Sequence, residues 1–479
     1  MLFRLAEIKL QLHANCNIRL RPIVMKLPES PPDHQELLRD LPRSRLGAVI
    51  PHSQVTVSGS YLHWDQLRHR TPPGDLTHAE WWLGVRLARA GAMEALPFTQ
   101  KDGRPFVLVH APPIREGLHR IDQSFGMSAG SNGAVRDIVD AHGTSYLLVN
   151  SLIEEAIRSS QLEGASTTHD AAKDMIREKR QPSDRSERMI MNNYAAMERL
   201  EDLSREPLTA EHVLELHRIL VDGTLDDPTR AGVFRTDDDN IVVGLLHSIE
   251  TAHVPPRAAE LAERLDVLVA FANDESPDRW LHPVLRSILI HFMIGYDHPF
   301  VDGNGRVARA LFYWSMLRYG YPLAKFLSIS RVLRHAPAKY ARAYLYSETD
   351  GGDVTYFLDH QIGVIRKSVE SLEQYVQKKA EDIREVEQQV RARHDLNHRQ
   401  IRLLAHALRK PGAKYTVRSH EASHRVAYNT ALADLRDLVD KGLLFQSKEG
   451  RQFVFIAPND LGRRLKRVEP SRGDRQRDP

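Results

Sequence analysis

Residues 298–309 read HPFVDGNGRVAR, and the apolar run ALFYWSMLRYG follows directly. A loop dense in acid–base and anion-binding groups therefore opens straight into a helix. The first amides of such a helix point out of its N-terminus, and the dipole there favours a bound phosphate. Gly303 and Gly305 permit positive φ and close approach of backbone to ligand. His298 can accept a proton near neutral pH. Asp302 is a hard oxygen ligand of the kind Mg²⁺ takes in ones and twos. Gly303, Asn304 and Gly305 can shape the backbone into an anion-binding nest. Arg306 and Arg309 lie three apart, on one face of the following helix, within reach of phosphate oxygens. Each feature alone is commonly structural. Their coincidence in a dozen residues points to activation of a nucleophile and stabilisation of a phosphoryl transition state.

The flanking sequence is organised around helices. YLLVNSLIEEAIRSSQLEGAST has helical spacing and stops at Gly164; Thr168 and Thr209 are N-cap candidates for later helices. Two β-prone runs, near Val233–Phe234 and Ile241–Val243, interrupt the pattern before Pro255-Pro256 and read as a hairpin flap. Upstream, Thr77 and Glu80 form a capping-box pattern, and Trp64, Trp81 and Trp82 are read as a small core rather than an aromatic ligand platform. Downstream, HRQIRLLAHALRK, YTVRSHEASH, RVAYNTALADLRDLVDKGLL and FQSKEGRQFVFI give three helices and a hairpin, the order of a winged helix-turn-helix. The expected division is 1–24 an extension or disordered, 25–134 an α-rich N-terminal region, 135–352 the central domain, 353–394 a helical linker, 395–460 the winged helix, and 461–479 a disordered basic tail. The fold class is mainly α.

Composition narrows the function. At 479 residues the chain exceeds a single core, and its net charge of +3 supplies no global field for nucleic acid or membrane. Cys16 is the single cysteine, which excludes an internal disulfide and fits a reducing, cytoplasmic setting. No run approaches the roughly 18 apolar residues of a membrane span, and the N-terminus lacks a signal-peptide pattern.

HPFVDGNGRVAR resembles the signature of Fic domains, His-x-Phe-x-Asp/Glu-Gly-Asn-Gly-Arg-x-x-Arg, with every fixed position filled. The surrounding helices and the GVFR…VPP flap resemble the Fic core over roughly residues 140–350. The resemblance implies transfer of AMP from ATP to a hydroxyl of a target protein, with release of pyrophosphate. His298 would be the base, Asp302 the Mg²⁺ ligand, and Phe300 a core anchor. Asn304, the turn amides of Gly303 and Gly305, and Arg306 would bind phosphates, and Arg309 would seat the γ-phosphate. The flap at Ile241, Val242, Val243 and Gly244 would dock the target by strand pairing. Gly305 is intact where a kinase-like branch carries lysine, which favours nucleotidyl transfer; UMP and GMP stay open as donors.

A glutamate such as Glu163, in the last turn of a helix, ordinarily lies in solvent and is slightly misplaced against the dipole. Under the resemblance, Ser159-Ser160-Gln161-Leu162-Glu163-Gly164 instead matches the inhibitory motif Ser/Thr-x-x-x-Glu-Gly/Asn of self-inhibited Fic proteins. Glu163 would then pair with Arg309 in place of the γ-phosphate, with Ser159 and Gly164 completing the motif. The same glutamate could serve removal of AMP. Two further readings stand beside this one. A nucleotide-sensing transcriptional regulator would use Arg425, Tyr428 and Asn429 to contact DNA, with Arg418, Lys448, His420 and His424 adding charge and Asp434 and Asp437 opposing it. A metal phosphohydrolase would use His291, His298 and Asp302, although His291 falls on the apolar face of a helix. The target protein and the possibility of a homodimer are left open.

Overall fold

The computed structural model describes residues 26–125, 144–244, 251–274, 280–391, 395–409, 412–449 and 452–467. The expected extension at 1–24 lies outside them. The N-terminal region holds α1 (His34–Asp40), α2 (Arg43–Val49), α3 (Trp64–Leu67) and α4 (His78–Ala90). The capping box expected at the start of α4 is present, Thr77 and Glu80 each accepting from the other's backbone N–H. Trp81 and Trp82 are buried with Val49 and Leu67 in a small core, and Trp64 packs against it. An antiparallel pair, β1 (Met93–Thr99) and β2 (Pro105–Val109), leads into α5 (Pro112–Phe125). Only β2 is legible from hydrophobicity; β1 carries Glu94 and Pro97 and exposes much of its length.

The central helices are α6 (Thr144–Leu162), α7 (His169–Arg177), α8 (Arg185–Leu203) and α9 (Ala210–Val221). Thr168 and Thr209 cap α7 and α9 as their positions suggest. The flap hairpin joins β3 (Val243–Gly244) to β4 (Thr251–His253). This corrects the expected strand at Val233–Phe234: that segment is not a strand, because Arg235 ties it to the loop after α11 instead, its N–H donating to Pro299 O at 2.9 Å. Then come α10 (Leu261–Ala272), α11 (Pro283–Asp297), α12 (Asn304–Arg318), α13 (Ile329–His335), α14 (Pro337–Thr349) and α15 (Thr355–Arg391). Helices α11 and α12 are almost wholly buried and form the axis of the main core. A helix that is apolar on all sides can only be a central one.

Two boundary expectations need correction. The segment from 353 is not a free linker: Phe357, Leu358, Ile362, Ile365 and Val369 of α15 belong to the main core. The reason is its amphipathic first half, whose apolar stripe packs on α5. The C-terminal unit contains α16 (His398–Arg409), β5 (Lys414–Tyr415), α17 (Val417–His424), α18 (Tyr428–Asp440), β6 (Phe445–Glu449), β7 (Gln452–Ile456) and α19 (Leu461–Arg467), with sheet order β5-β7-β6. The tail expected to be disordered from 461 begins with α19, whose Leu461 and Leu465 enter this unit's own core; the remainder from 468 lies outside the described residues. Among the described residues no helix is long and apolar enough to cross a membrane.

Burying one leucine contributes roughly 1.5–3 kcal/mol. A chain ending after residue 460 should therefore melt its C-terminal unit several degrees earlier than one ending after 467. Differential scanning calorimetry reads the difference.

Candidate active site

The loop hangs between two buried helices, and its shape follows from a few hydrogen bonds. His298 caps α11 at φ 47°, a left-handed conformation that costs a β-carbon-bearing residue about 1 kcal/mol or more. Arg235 offsets this by donating through Nε to His298 O at 2.8 Å and through Nη2 to Pro256 O at 2.5 Å. Phe300 is fully buried and stacks on His217, ring centroids 3.7 Å apart. His217 accepts from Gly232 N–H at Nδ1 (2.9 Å), so its Nε2–H donates to Asp302 O (3.0 Å). Gly303 then turns at φ 87°, where a Cβ would lie 2.9 Å from Val221.

Asn304 requires a correction. Its side chain does not face a phosphate: Oδ1 accepts from Phe300 N–H at 2.9 Å and Nδ2 donates to Phe300 O at 2.7 Å. Both ends of the amide close the loop, so Asn304 offers only its backbone N–H. Arg306 keeps the assigned capacity. It is 1% exposed, donates through Nη1 to Leu220 O at 2.6 Å, and leaves Nε and Nη2 without hydrogen-bond partners among the described residues. Buried guanidinium N–H groups without acceptors are costly and suit an anion that supplies them.

Asp302 is half-exposed, its Oδ1 accepting from Gly303 N–H and its Oδ2 3.6 Å from Arg306 Nη2 and 3.8 Å from Arg185 Nη2. Among the described residues no cluster of three ligating side chains surrounds it. A lone carboxylate beside the buried Arg306 fits Mg²⁺, which takes its other ligands from water and substrate oxygens.

His298 lines a cleft of about 230 Å³ with Glu163, Val243, Gly244, Gly305 and Arg309. Its Nδ1 contacts Gly295 O at 3.3 Å and so carries the hydrogen, which leaves Nε2 as the lone-pair nitrogen. Burial is the main cause holding its pKa down at about 4, so the ring is neutral and ready to accept a proton above that pH.

On the other wall stands the end of α6. Arg309 is 2% exposed; it donates from Nη2 to Glu163 Oε1 at 2.7 Å, from Nε to Ser159 Oγ at 2.9 Å, and from Nη2 to Ser159 O at 3.2 Å. Residues 146 or more apart in sequence thus meet as the motif pattern anticipates. Gly164 ends the turn at φ 97°. Gly305 makes the approach possible, since a Cβ there would sit 2.2 Å from Glu163 Oε1. One turn earlier, Glu155 is buried and accepts from Ser330 Oγ at 2.5 Å and Ser328 Oγ at 2.8 Å. It anchors α6 to α13.

Of the flap residues, Val243 and Gly244 reach the cleft, whereas Ile241 precedes it and Val242 is 55% exposed. His253 of β4 joins the flap to the body through Glu348 (2.7 Å) and Tyr296 O (2.7 Å). His291 is a core residue, buried with Nε2 2.8 Å from the Tyr340 hydroxyl, and takes no part in the cleft. Sequence reasoning missed His217, Arg235 and Glu155. The only signal for them was polarity inside apolar runs. In the C-terminal unit Arg425, Tyr428 and Asn429 come together, exposed, around the start of α18. Asp434 and His420, expected on that outer face, are instead buried against each other and Arg399. Their periodicity places them inward.

His63, His217, His291 and His298 are all held below 6.5 chiefly by burial, at about 3, 4, 3 and 4. Their contribution is present above pH 6.5 and is lost as pH falls toward those values, because the unfolded chain then binds more protons. Each is worth on the order of 2 kcal/mol between pH 7 and 5. His360, held at about 4 by burial, adds to them, while Asp297, raised to about 6, and Glu155, Asp350 and Asp359, also raised by burial, act with the opposite sign. The thermal midpoint should therefore fall from pH 7 to 5, and His291→Phe should flatten that slope.

Residues 207–316 match the family model Fic/DOC family. "Protein adenylyltransferase Fic" of Drosophila mojavensis is 36% identical over 115 residues, which is 24% of this chain and 20% of that one. The Drosophila melanogaster protein of the same name is equally similar, over 21% of its length. The chain thus spans about a fifth of these curated relatives. Among solved structures, a Fic family protein from Desulfovibrio desulfuricans G20 aligns over 76% of this chain and 98% of its own, at 18% identity and a TM-score of 0.49. With the signature complete from His298 to Arg309 and its loop closed as described, residues 207–316 form a Fic domain.

Proposed function

We propose that this chain transfers AMP from ATP to a hydroxyl side chain of a protein, and that Glu163 holds the reaction off. The observation that carries both parts is one cleft with His298 on one wall and Arg309 on the other, Arg309 already engaged by Glu163. His298 Nε2 takes the proton of the target hydroxyl. The hydroxyl oxygen forms a bond to the α-phosphorus, and the bond from that phosphorus to the bridging oxygen of pyrophosphate breaks. Arg306, whose Nε and Nη2 have no hydrogen-bond partner among the described residues, and the first amides of α12 hold the phosphate oxygens. Asp302 would hold Mg²⁺, which when bound neutralises charge on the leaving diphosphate. Val243 and Gly244 offer backbone for the target segment.

Inhibition follows from competition. Arg309 is buried and can serve the γ-phosphate or Glu163, not both, and Glu163 Oε1 occupies the space above Gly305. The names of the similar Drosophila proteins support the reaction class. Intact His298 favours transfer over nucleotide sensing alone, since sensing needs no base.

With labelled ATP and Mg²⁺, Glu163→Gly should raise covalent labelling of the protein at least tenfold over wild type. His298→Ala in the same background should remove it. Unchanged labelling on Glu163→Gly refutes the inhibitory role, and release of free phosphate without label would mark a hydrolase.

For the C-terminal unit we propose a winged helix that presents Arg425, Tyr428 and Asn429. These three side chains are exposed around one helix start, the arrangement used to enter a major groove. A mobility-shift titration of the full chain on duplex DNA should weaken steeply with salt and weaken further on Arg425→Ala. Salt-independent behaviour would assign this face to protein contacts.

A further inference from the structure

A second cleft, of about 600 Å³, lies away from the active site among α6, α7, α13 and α15. Its size is that of a small-molecule site. Its wall carries Arg158, Lys173 and Arg331 against one carboxylate, Glu154, three positive charges to one negative. Glu154 is already neutralised: Oε1 accepts from Arg158 Nε at 2.8 Å, and Oε2 lies 2.5 Å from His169 Nε2. Lys173 and Arg331 have no carboxylate partner among the described residues. Phe326 and Val332 add an apolar patch beside the cations. Two unpaired cations and a shared arginine around a walled space describe a receptor for a small phosphorylated molecule.

We propose that this cleft binds such a phosphorylated ligand and that binding loosens the turn bearing Glu163. The link runs through Arg158. Its Nη1 donates to Gln161 Oε1 at 3.2 Å, and Gln161 Nε2 donates to Thr167 O at 2.9 Å, which closes the turn from 161 to 167 around Glu163 and Gly164. A phosphate that draws the Arg158 guanidinium toward Lys173 and Arg331 competes with Gln161 for its N–H groups. The turn then loses one of its ties, and the hold of Glu163 on Arg309 weakens. The binding site stands without any assumption about the reaction; its regulatory meaning rests on the inhibitory reading above.

The test uses the full chain and inorganic pyrophosphate. Calorimetry on wild type should show one more bound equivalent than on Lys173→Ala/Arg331→Ala, or at least a tenfold stronger affinity. Arg331 is exposed and Lys173 half-buried, and neither has a carboxylate partner among the described residues, so the variant should retain the wild-type thermal midpoint. Pyrophosphate should also shield Lys173, but not Lys325, from acetylation read by mass spectrometry. Amide hydrogen exchange over residues 161–167 should rise with pyrophosphate in wild type and stay unchanged in the double variant. Equal binding by the two proteins, or no protection of Lys173, overturns the site. Binding without a change in exchange overturns the coupling. None of these readouts depends on nucleotidyl transfer, so a failure of the transfer reading would appear separately, as absence of labelling from ATP.

Discussion

The arrangement of the active site depends on Arg309 being a buried cation. A guanidinium that is 2% exposed must be met by acceptors, because an unpaired buried charge costs several kcal/mol. In this structure the acceptors come from α6: the Ser159 hydroxyl and carbonyl and the Glu163 carboxylate. Desolvation works against the charged form of Arg309, and the Glu163 carboxylate is the foremost group that restores it. A phosphate could supply the same charge. Whatever occupies that place therefore decides the position of the helix end, and the helix end decides what fits over Gly305.

The support for α6 reaches well beyond the contact itself. Glu155 fastens the helix to α13, and Ser160 Oγ fastens it to Met189 O of α8 at 3.1 Å. The helix is thus held along its inward stripe, while the residues after Leu162 form a turn held by its own hydrogen bonds, among them Ala165 N–H to Ser160 O at 3.0 Å and Gln161 Nε2 to Thr167 O at 2.9 Å. Loosening Glu163 does not require α6 to leave the core. The Glu163 carboxylate thus sits on a turn that follows the anchored helix rather than within the helix itself.

The loop from His298 to Arg309 is legible in the sequence to an unusual degree, for a physical reason. A backbone that must turn at Gly303, clear Glu163 at Gly305 and enter a helix at Asn304 tolerates few residue types, so its constraints are written locally. The helices around it are legible because apolar spacing and N-caps such as Thr168 and Thr209 are local as well. The strand expected at Val233–Phe234 fails because a β-prone pair says nothing about what Arg235 beside it will bind. Asp434 and His420 mislead in the same way, charged by type yet facing inward as a buried pair.

Local chemistry, then, was determined by the sequence alone: a proton acceptor at His298, a hard oxygen at Asp302, arginines on one helix face, and a glutamate at a helix end far upstream. Only the tertiary structure decided how these were used. It spent both ends of the Asn304 amide on closing the loop, left Nε and Nη2 of Arg306 without hydrogen-bond partners among the described residues, and brought His217 beneath Phe300. It also set α6 so that its inward stripe meets Arg309 and another stripe faces the basic cleft. Hydrogen-bond partners and burial are properties of packing between distant segments, and no spacing within one segment encodes them.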